Sequence, residues 1–347
     1  MTRTRRCLGV LAAMALGAAS LGAGTASAAV ATATATAARP GAGTLAQWQA
    51  AMARIREPGT GCYNASYPAL SWRAARCVTA PKFPLAPVPS VKIGDGHDYS
   101  AQVPGLISLA TGTFQDVSAG ITERGTEGGG GSKVANAFTL QLNSEFFTGS
   151  PACSGSSDPA SCQAWQQFVY AYQGTGSLFM QYWLINYDAT CPSGWFTYSA
   201  DCYTNSASTD VSKLTAKQLA TVQLSGLAQA GGNDGVLLAV GTGKASLVTG
   251  PDSEIDLASN WNTAEWGVYG DGGGSEAYFN TGASLEARTT LTATSTSAPT
   301  CVLEGFTGET SNLKLAKTPA ITGATSPTIA STQTNGTTGA KSCAVAG

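Results

Sequence analysis

Two aromatic-rich runs each set one strongly polar side chain among rings. Residues 177–187 read Ser-Leu-Phe-Met-Gln-Tyr-Trp-Leu-Ile-Asn-Tyr, and residues 260–269 read Asn-Trp-Asn-Thr-Ala-Glu-Trp-Gly-Val-Tyr. Both runs have the composition of β-strands, whose side chains alternate between two faces. Gln181 would share a face with Phe179, Trp183, Ile185 and Tyr187, and Glu265 with Trp261 and Tyr269. A carboxylate can carry a proton, and a primary amide can donate to a developing negative charge. An unpaired carboxylate in a dry core is costly, so this pattern points to a cleft.

The elements that would position these residues follow from the rest of the chain. Arg3, Arg5 and Arg6 precede an apolar, Ala-rich stretch over 8–24, and Ala26-Ser27-Ala28 has the small residues of a cleavage site. Residues 1–28 are therefore expected to be a secretory signal, with a secreted, extracellular chain beginning at Ala29 and no membrane attachment after its removal. Cys7 leaves with that signal. The other cysteines fall in order as Cys62 and Cys77, Cys153 and Cys162, Cys191 and Cys202, Cys301 and Cys343. An even set in an exported chain implies disulfides. Many pairings are open; short spacing favours nearest-neighbour pairs for the first three. There is no CxxC pair and His97 is the single histidine, so no metal site and no cofactor are expected. With a net charge of −2 and no basic cluster beyond the signal, nucleic acid is an unsuitable partner.

Residues 29–44 are low-complexity, and 45–57 have helical spacing of Leu45, Trp48, Met52 and Ile55. A proline-rich run over 81–89 cannot be a central strand and reads as a strap across a surface. Residues 29–90 together are expected to be a linker, short helix and strap, with the character of a prosegment lying over a groove. From 91 to 300 the chain alternates strands and turns. Strands are expected over 99–103, 106–114, 134–147, 165–172, 177–187, 219–228, 236–240, 245–248, 261–269, 276–279 and 285–294, with Gly-rich turns at 127–132, 231–235 and 271–274. This pattern implies an all-β fold: a two-sheet antiparallel, jelly-roll-like sandwich of concanavalin type. Residues 301–347 read as an extended C-terminal tail, tied back through Cys301 and Cys343. A monomer is expected.

At the two opening runs the chain resembles the glutamic peptidases, the eqolisin family. The family's glutamate lies in an Ala-Glu-Trp context before a valine-containing strand, a loop and an Ala-x-Phe segment. Here Ala264-Glu265-Trp266-Gly267-Val268 is followed by a Gly-rich loop and Ala277-Tyr278-Phe279. Leu178-Phe179-Met180-Gln181 is similar to the setting of the family's glutamine, and Gly112-Thr113-Phe114 to an early strand. The resemblance implies an acid-active endopeptidase acting on a peptide or protein. Glu265 would be the general base for an attacking water, and Gln181 would orient that water and donate to the oxyanion. Trp183, Trp261 and Tyr269 would wall an open cleft and bind substrate. An ordinary glutamate titrates near pH ~4, which matches action in acid.

Two other enzyme motifs are incomplete. Glu254-Ile255-Asp256 begins a motif like that of laminarinase-type glycoside hydrolases, but the position of its second glutamate is Ser259. The two acids then read as a solvated strand edge. His97 beside Asp98 has no Gly-x-Ser-x-Gly elbow to serve. The non-enzyme alternative is a secreted sandwich that binds a glycan or another cell-surface ligand, which a chain with 7 tryptophans could do.

Overall fold

The computed structural model describes residues 43–86, 97–303, 308–323 and 326–337. Two ten-stranded sheets pack face to face, joined by a small four-stranded sheet. In spatial order, the first sheet runs Arg73–Ala75, Gly61–Ser66, Lys244–Pro251, Asn233–Val240, Gln223–Leu227, Ile107–Gln115, Ser284–Ala293 and Thr328–Thr334. The second runs Phe196–Tyr198, Asp201–Asn205, Thr175–Ile185, Gln163–Gln173, Phe138–Ser144, Thr263–Gly270, Tyr99–Gln102 and Thr300–Leu303. Pairing within both sheets is antiparallel. The all-β sandwich expected from alternation and turn spacing is the observed architecture.

Four adjacent strands of the second sheet carry the features of interest and are numbered in chain order: β1 (Phe138–Ser144), β2 (Gln163–Gln173), β3 (Thr175–Ile185) and β4 (Thr263–Gly270). Spatially they lie β3-β2-β1-β4. Their register aligns Met180, Phe168, Leu142 and Trp266 in one row. These side chains fill the space between the sheets. Two glycines of the first sheet make room for the largest of them. A Cβ on Gly112 would lie 2.1 Å from the Trp266 ring, and one on Gly226 2.5 Å from Phe168. The Trp266 ring packs on Phe114 with centroids 4.8 Å apart.

The sandwich reaches beyond the 91–300 span expected for it. Helix α1 (Leu45–Met52) starts at a capping box on Thr44 and buries Trp48 and Met52 on the first sheet. Gly61–Ser66 pairs with Lys244–Pro251, so a segment assigned to the linker region is a strand of the main sheet. At the other end, Thr300–Leu303 and Thr328–Thr334 join the two sheets instead of trailing as a tail. Disulfides join Cys62 to Cys77, Cys153 to Cys162 and Cys191 to Cys202. The expected Cys301–Cys343 pair involves Cys343, which lies outside the described residues, as do the signal, the low-complexity segment 29–42 and strap residues 87–89. No helix among the described residues is long and apolar enough to cross a membrane.

Glu254 and Asp256 do not lie on a strand edge. They occupy 3-10 turns after Lys244–Pro251, beside the buried Asp252. Asp252 accepts hydrogen bonds from the Gly231 and Ala258 amides. Asp234 is buried next to it. Burial, then the neighbouring Asp252 charge, pushes the Asp234 carboxyl well above the ordinary range. Burial also raises Glu123 and Glu309 to about 8 and Asp271 to about 7. Lys213 offsets part of the shift at Glu123 and Asp271, but burial outweighs it.

The consequence is a fold that prefers acid. A carboxyl with a raised folded pKa leaves stability unaffected while both states hold the proton. Above pH ~4 the unfolded chain releases that proton and the folded chain keeps it, so stability falls until the pH passes the folded value. For Glu123, Glu309 and Asp271 this window runs from about pH 4 to about pH 7–8. Urea unfolding at pH 4.5 and pH 8 is expected to show a loss of the order of a few kcal/mol at the higher pH. Asp234→Asn should raise the pH 8 stability and flatten the profile. A pH-independent midpoint would contradict the buried-acid account.

Candidate functional site

One strand step from the Met180–Phe168–Leu142–Trp266 row, on the opposite face of the second sheet, lies a polar one. Gln181 pairs with Gln167, Gln167 with Asn143, and Asn143 with Glu265. Directly opposed residues on a sheet share a face, so four strands present amide, amide, amide and carboxylate in line. Gln141 and Thr139 extend the polar strip along β1. An outer sheet face normally meets water. This one is covered: Gln181, Gln167 and Glu265 are each 0% exposed, and Asn143 1%.

The buried polar atoms form a continuous network, in which Asn143 Oδ1 is the one atom of the row left without a hydrogen-bond partner among the described residues. The Trp183 indole N–H donates to the side-chain oxygens of both Gln181 and Gln167, at 3.0 Å each. Gln167 Nε2 donates to Gln141 Oε1 at 3.1 Å. Asn143 Nδ2 donates to Glu265 Oε2 at 2.6 Å. The Tyr269 hydroxyl donates to the other Glu265 oxygen, and it also lies 2.7 Å from Asp98 Oδ2. A hydroxyl has one proton, so it serves one of these two acceptors at a time. Gln141 Nε2 donates to Thr139 Oγ1, whose own proton goes to the Gly270 carbonyl at 2.9 Å.

Three pieces of chain roof the network. Asp98 stands over Tyr269. Glu309, raised to about 8 by burial, hydrogen-bonds Gln141. The third piece is the proline-rich strap. Leu85 N–H donates to Gln181 Oε1 at 2.8 Å, and Gln181 Nε2 donates to the Phe83 carbonyl at 3.2 Å and to Asn205 Oδ1 at 2.8 Å. Asn205 in turn donates to the Pro81 carbonyl at 2.8 Å. Proline removes backbone donors, which leaves the strap an irregular peptide held by side chains instead of a paired strand. Beyond Gln141, Asp271 accepts from the Gly128 and Tyr172 amides and pins the two Gly-rich turns together.

Gln181 and Glu265 thus share a sheet, a face and a row, but three strand spacings separate them, about 14 Å of backbone. They do not converge on one water. The amide that stands by Glu265 is Asn143, directly opposite on the adjacent strand and bonded to it at 2.6 Å; Gln141 on that strand is the diagonal neighbour, at a spacing of about 7–8 Å between Cα atoms for such pairs. Gln141 and Asn143 went unread in the sequence. Their signal is the Thr139-Leu140-Gln141-Leu142-Asn143 alternation, which puts three polar side chains on one face of a strand whose other face is apolar. Of the three expected cleft aromatics, Trp183 and Tyr269 are on this face. Trp261 is not: it precedes β4, packs on Phe168 with centroids 5.4 Å apart, and belongs to the core between the sheets. None of the three walls an open cleft, being 0%, 3% and 1% exposed for Trp183, Tyr269 and Trp261.

No family model matches the chain, and no curated protein matches it. Among solved structures it is similar to a scytalido-glutamic peptidase held with a peptide-based transition state analog, at 11% identity over 68% of this chain and 96% of that one, with a TM-score of 0.33. It is likewise similar to SCP-B, a member of the eqolisin family of peptidases, in a complex with the tripeptide Ala-Ile-His, at 12% identity over 68% and 96%, with a TM-score of 0.32. Likeness at this level bears on neither residue roles nor chemistry.

The row makes a specific demand at Asn143. Asn143→Asp would set a second carboxylate against Glu265 in place of an amide donor. The expected loss is about 2–4 kcal/mol at pH 7.5 by urea unfolding, partly recovered at pH 4.5 where one acid takes a proton. A variant as stable as the parent at both pH values would mean that the two side chains do not meet.

Proposed function

We propose that the chain is a secreted, acid-acting endopeptidase-like hydrolase whose substrate groove is the outer face of the second sheet, held closed in this state by residues 80–86. The observation that carries this reading is the buried Asn143–Glu265–Tyr269 cluster beside the Gln141 amide, on a sheet face that already holds an extended peptide by its backbone. Glu265 is the base. It takes a proton from a water, whose oxygen attacks the scissile carbonyl carbon. Gln141 donates an N–H to the oxyanion, and Glu265 then passes the proton to the leaving nitrogen as the C–N bond breaks. A carboxylic acid and an amine result. Asn143 and Tyr269 hold the carboxylate in position. Gln181 has a different role from the one expected from sequence: it grips peptide backbone away from the reacting carbon.

Release of the groove does not require loss of residues 29–90 as a whole. Helix α1 and Gly61–Ser66 are built into the first sheet, so lifting or nicking the strap opens the Gln181 end of the groove, and access to Glu265 needs the cover at Asp98 to move as well. The three disulfides suit an oxidising compartment.

A second reading has one observation in its favour: Glu265 is wholly enclosed. A sandwich that merely keeps its polar face satisfied, and binds a glycan or surface ligand elsewhere, would show the same enclosure. The two readings separate in casein digestion across pH. Leu85→Asp, which expels the strap from an apolar pocket, should release activity that peaks in acid. Glu265→Gln added to it should abolish activity with the fold intact, and Gln141→Ala should lower kcat about 100-fold or more. Equal digestion with and without Glu265→Gln would reject the glutamate as base. No digestion by a folded Leu85→Asp protein at any pH would favour the binding module.

A further inference from the structure

The strap is held as a ligand is held. Its backbone is read at two points by one side chain, since Gln181 accepts from Leu85 N–H and donates to the Phe83 carbonyl. Gln181 is itself fixed by Trp183 and Asn205, so it meets the peptide in a set orientation. On one side of Gln181, Leu85 is fully buried among Val169, Ala171 and Phe179. On the other, Ala86 is buried in one apolar cluster with Trp165, Trp183, Ile185 and Phe146. Phe83 rests on the Gly-rich turn, where a Cβ on Gly272 would come within 2.6 Å of its ring. Lys82 stays exposed, with Nζ 5.9 Å from the Phe196 ring. Where the strap enters, the groove opens into a cleft lined by Arg76, Lys82, Phe196 and Asn205.

From these contacts we infer that the groove selects extended peptides in one register, with an aliphatic side chain at the Leu85 position followed by a small one, and that residues 80–86 are its internal ligand. The inference rests on reading this face as a peptide groove. The physical basis is local. A pocket floored by β-branched and aromatic side chains and lacking polar partners rejects a charged residue. The two tilted indoles, with centroids 6.2 Å apart, share a buried cluster with the single methyl group of Ala86, so a small side chain suits this position better than a ring. A glutamine that gives and takes one hydrogen bond each way fixes the register, because shifting the peptide by one residue leaves its two backbone partners pointing away. Gln181 is a specificity and positioning residue, remote from the reacting bond.

The test uses the full chain carrying Leu85→Asp and Glu265→Gln, which frees the groove and removes hydrolysis. The probe is the blocked peptide Ala-Pro-Lys-Phe-Pro-Leu-Ala, titrated while tryptophan fluorescence is followed. Saturable binding is expected. Replacing the peptide's leucine by lysine should weaken it at least tenfold, and adding Gln181→Ala to the protein should do the same. Absence of binding to the folded protein, or equal binding of both peptides, would overturn the register. If Leu85→Asp does not fold, hydrogen exchange on the unaltered chain decides. The Leu85 amide should exchange at least tenfold faster in Gln181→Leu while the strands of the first sheet stay protected, and an unchanged rate would overturn the inference. Binding without digestion in the casein assay retires the peptidase reading alone. Digestion that depends on Glu265, without register-specific binding, retires only the register.

Discussion

A sheet face that is both polar and dry must find a partner for every amide and carboxylate on it. That constraint governs the second sheet. Thr139, Gln141, Asn143, Gln167, Gln181 and Glu265 are all buried, and an unmet polar atom in such a place costs about 1–3 kcal/mol. Apart from the Gly270 carbonyl, which accepts from Thr139, the strands supply few partners, because their backbone groups are committed to each other. Side chains therefore pair along the row, and the strap provides the remaining backbone donor and acceptor at Gln181. Proline suits such a crossing, because a segment with few N–H groups leaves few of its own to satisfy while it spans the sheet.

The rest of the molecule is built for the same solvent. Charged residues are 12% of the chain. Several of its acids are raised by burial above the ordinary range, so protonation relieves the fold as pH falls. Glu123, Asp271 and Glu309 gather at the Gly-rich end of the polar strip, where the Asp271 charge adds to the burial that raises Glu123 and Glu309. A fold whose buried acids hold their protons is most comfortable in acid, the same condition in which the proposed hydrolase would act.

Much of this was legible in the sequence because β-structure has a period of two. Alternation and Gly-rich turns specified strands and sandwich, and Glu265 stood out as a carboxylate among rings. What alternation does not carry is strand order. Gln141 and Gln181 look alike in a one-dimensional pattern, each a glutamine between apolar neighbours. Only the order β3-β2-β1-β4 puts the first beside Glu265 and the second three strands off. Trp261 was misplaced because the strand begins at Thr263, after a 3-10 turn, and the period does not extend back through a turn. The late strands were missed for a compositional reason: Thr, Ser, Ala and Gly dominate 310–334, and such residues mark sheet edges and loops equally well.

The enclosure of Glu265 is compatible with chemistry only if opening is local. Two features make it so. The strap is held to the sheet by the Gln181 and Asn205 side chains and by the apolar contacts of Ala80, Phe83, Leu85 and Ala86, whereas the inner row is locked by Trp266 against Gly112 and by Phe168 against Gly226. Separating the sheets would expose the whole core; lifting the strap exposes these few apolar side chains and two amides that water can satisfy at once. Opening thus belongs to the low end of the free-energy range over which folded chains fluctuate. A peptide of matching register would meet the same Gln181 contacts, so the strap's departure and the substrate's arrival are nearly an exchange of like for like.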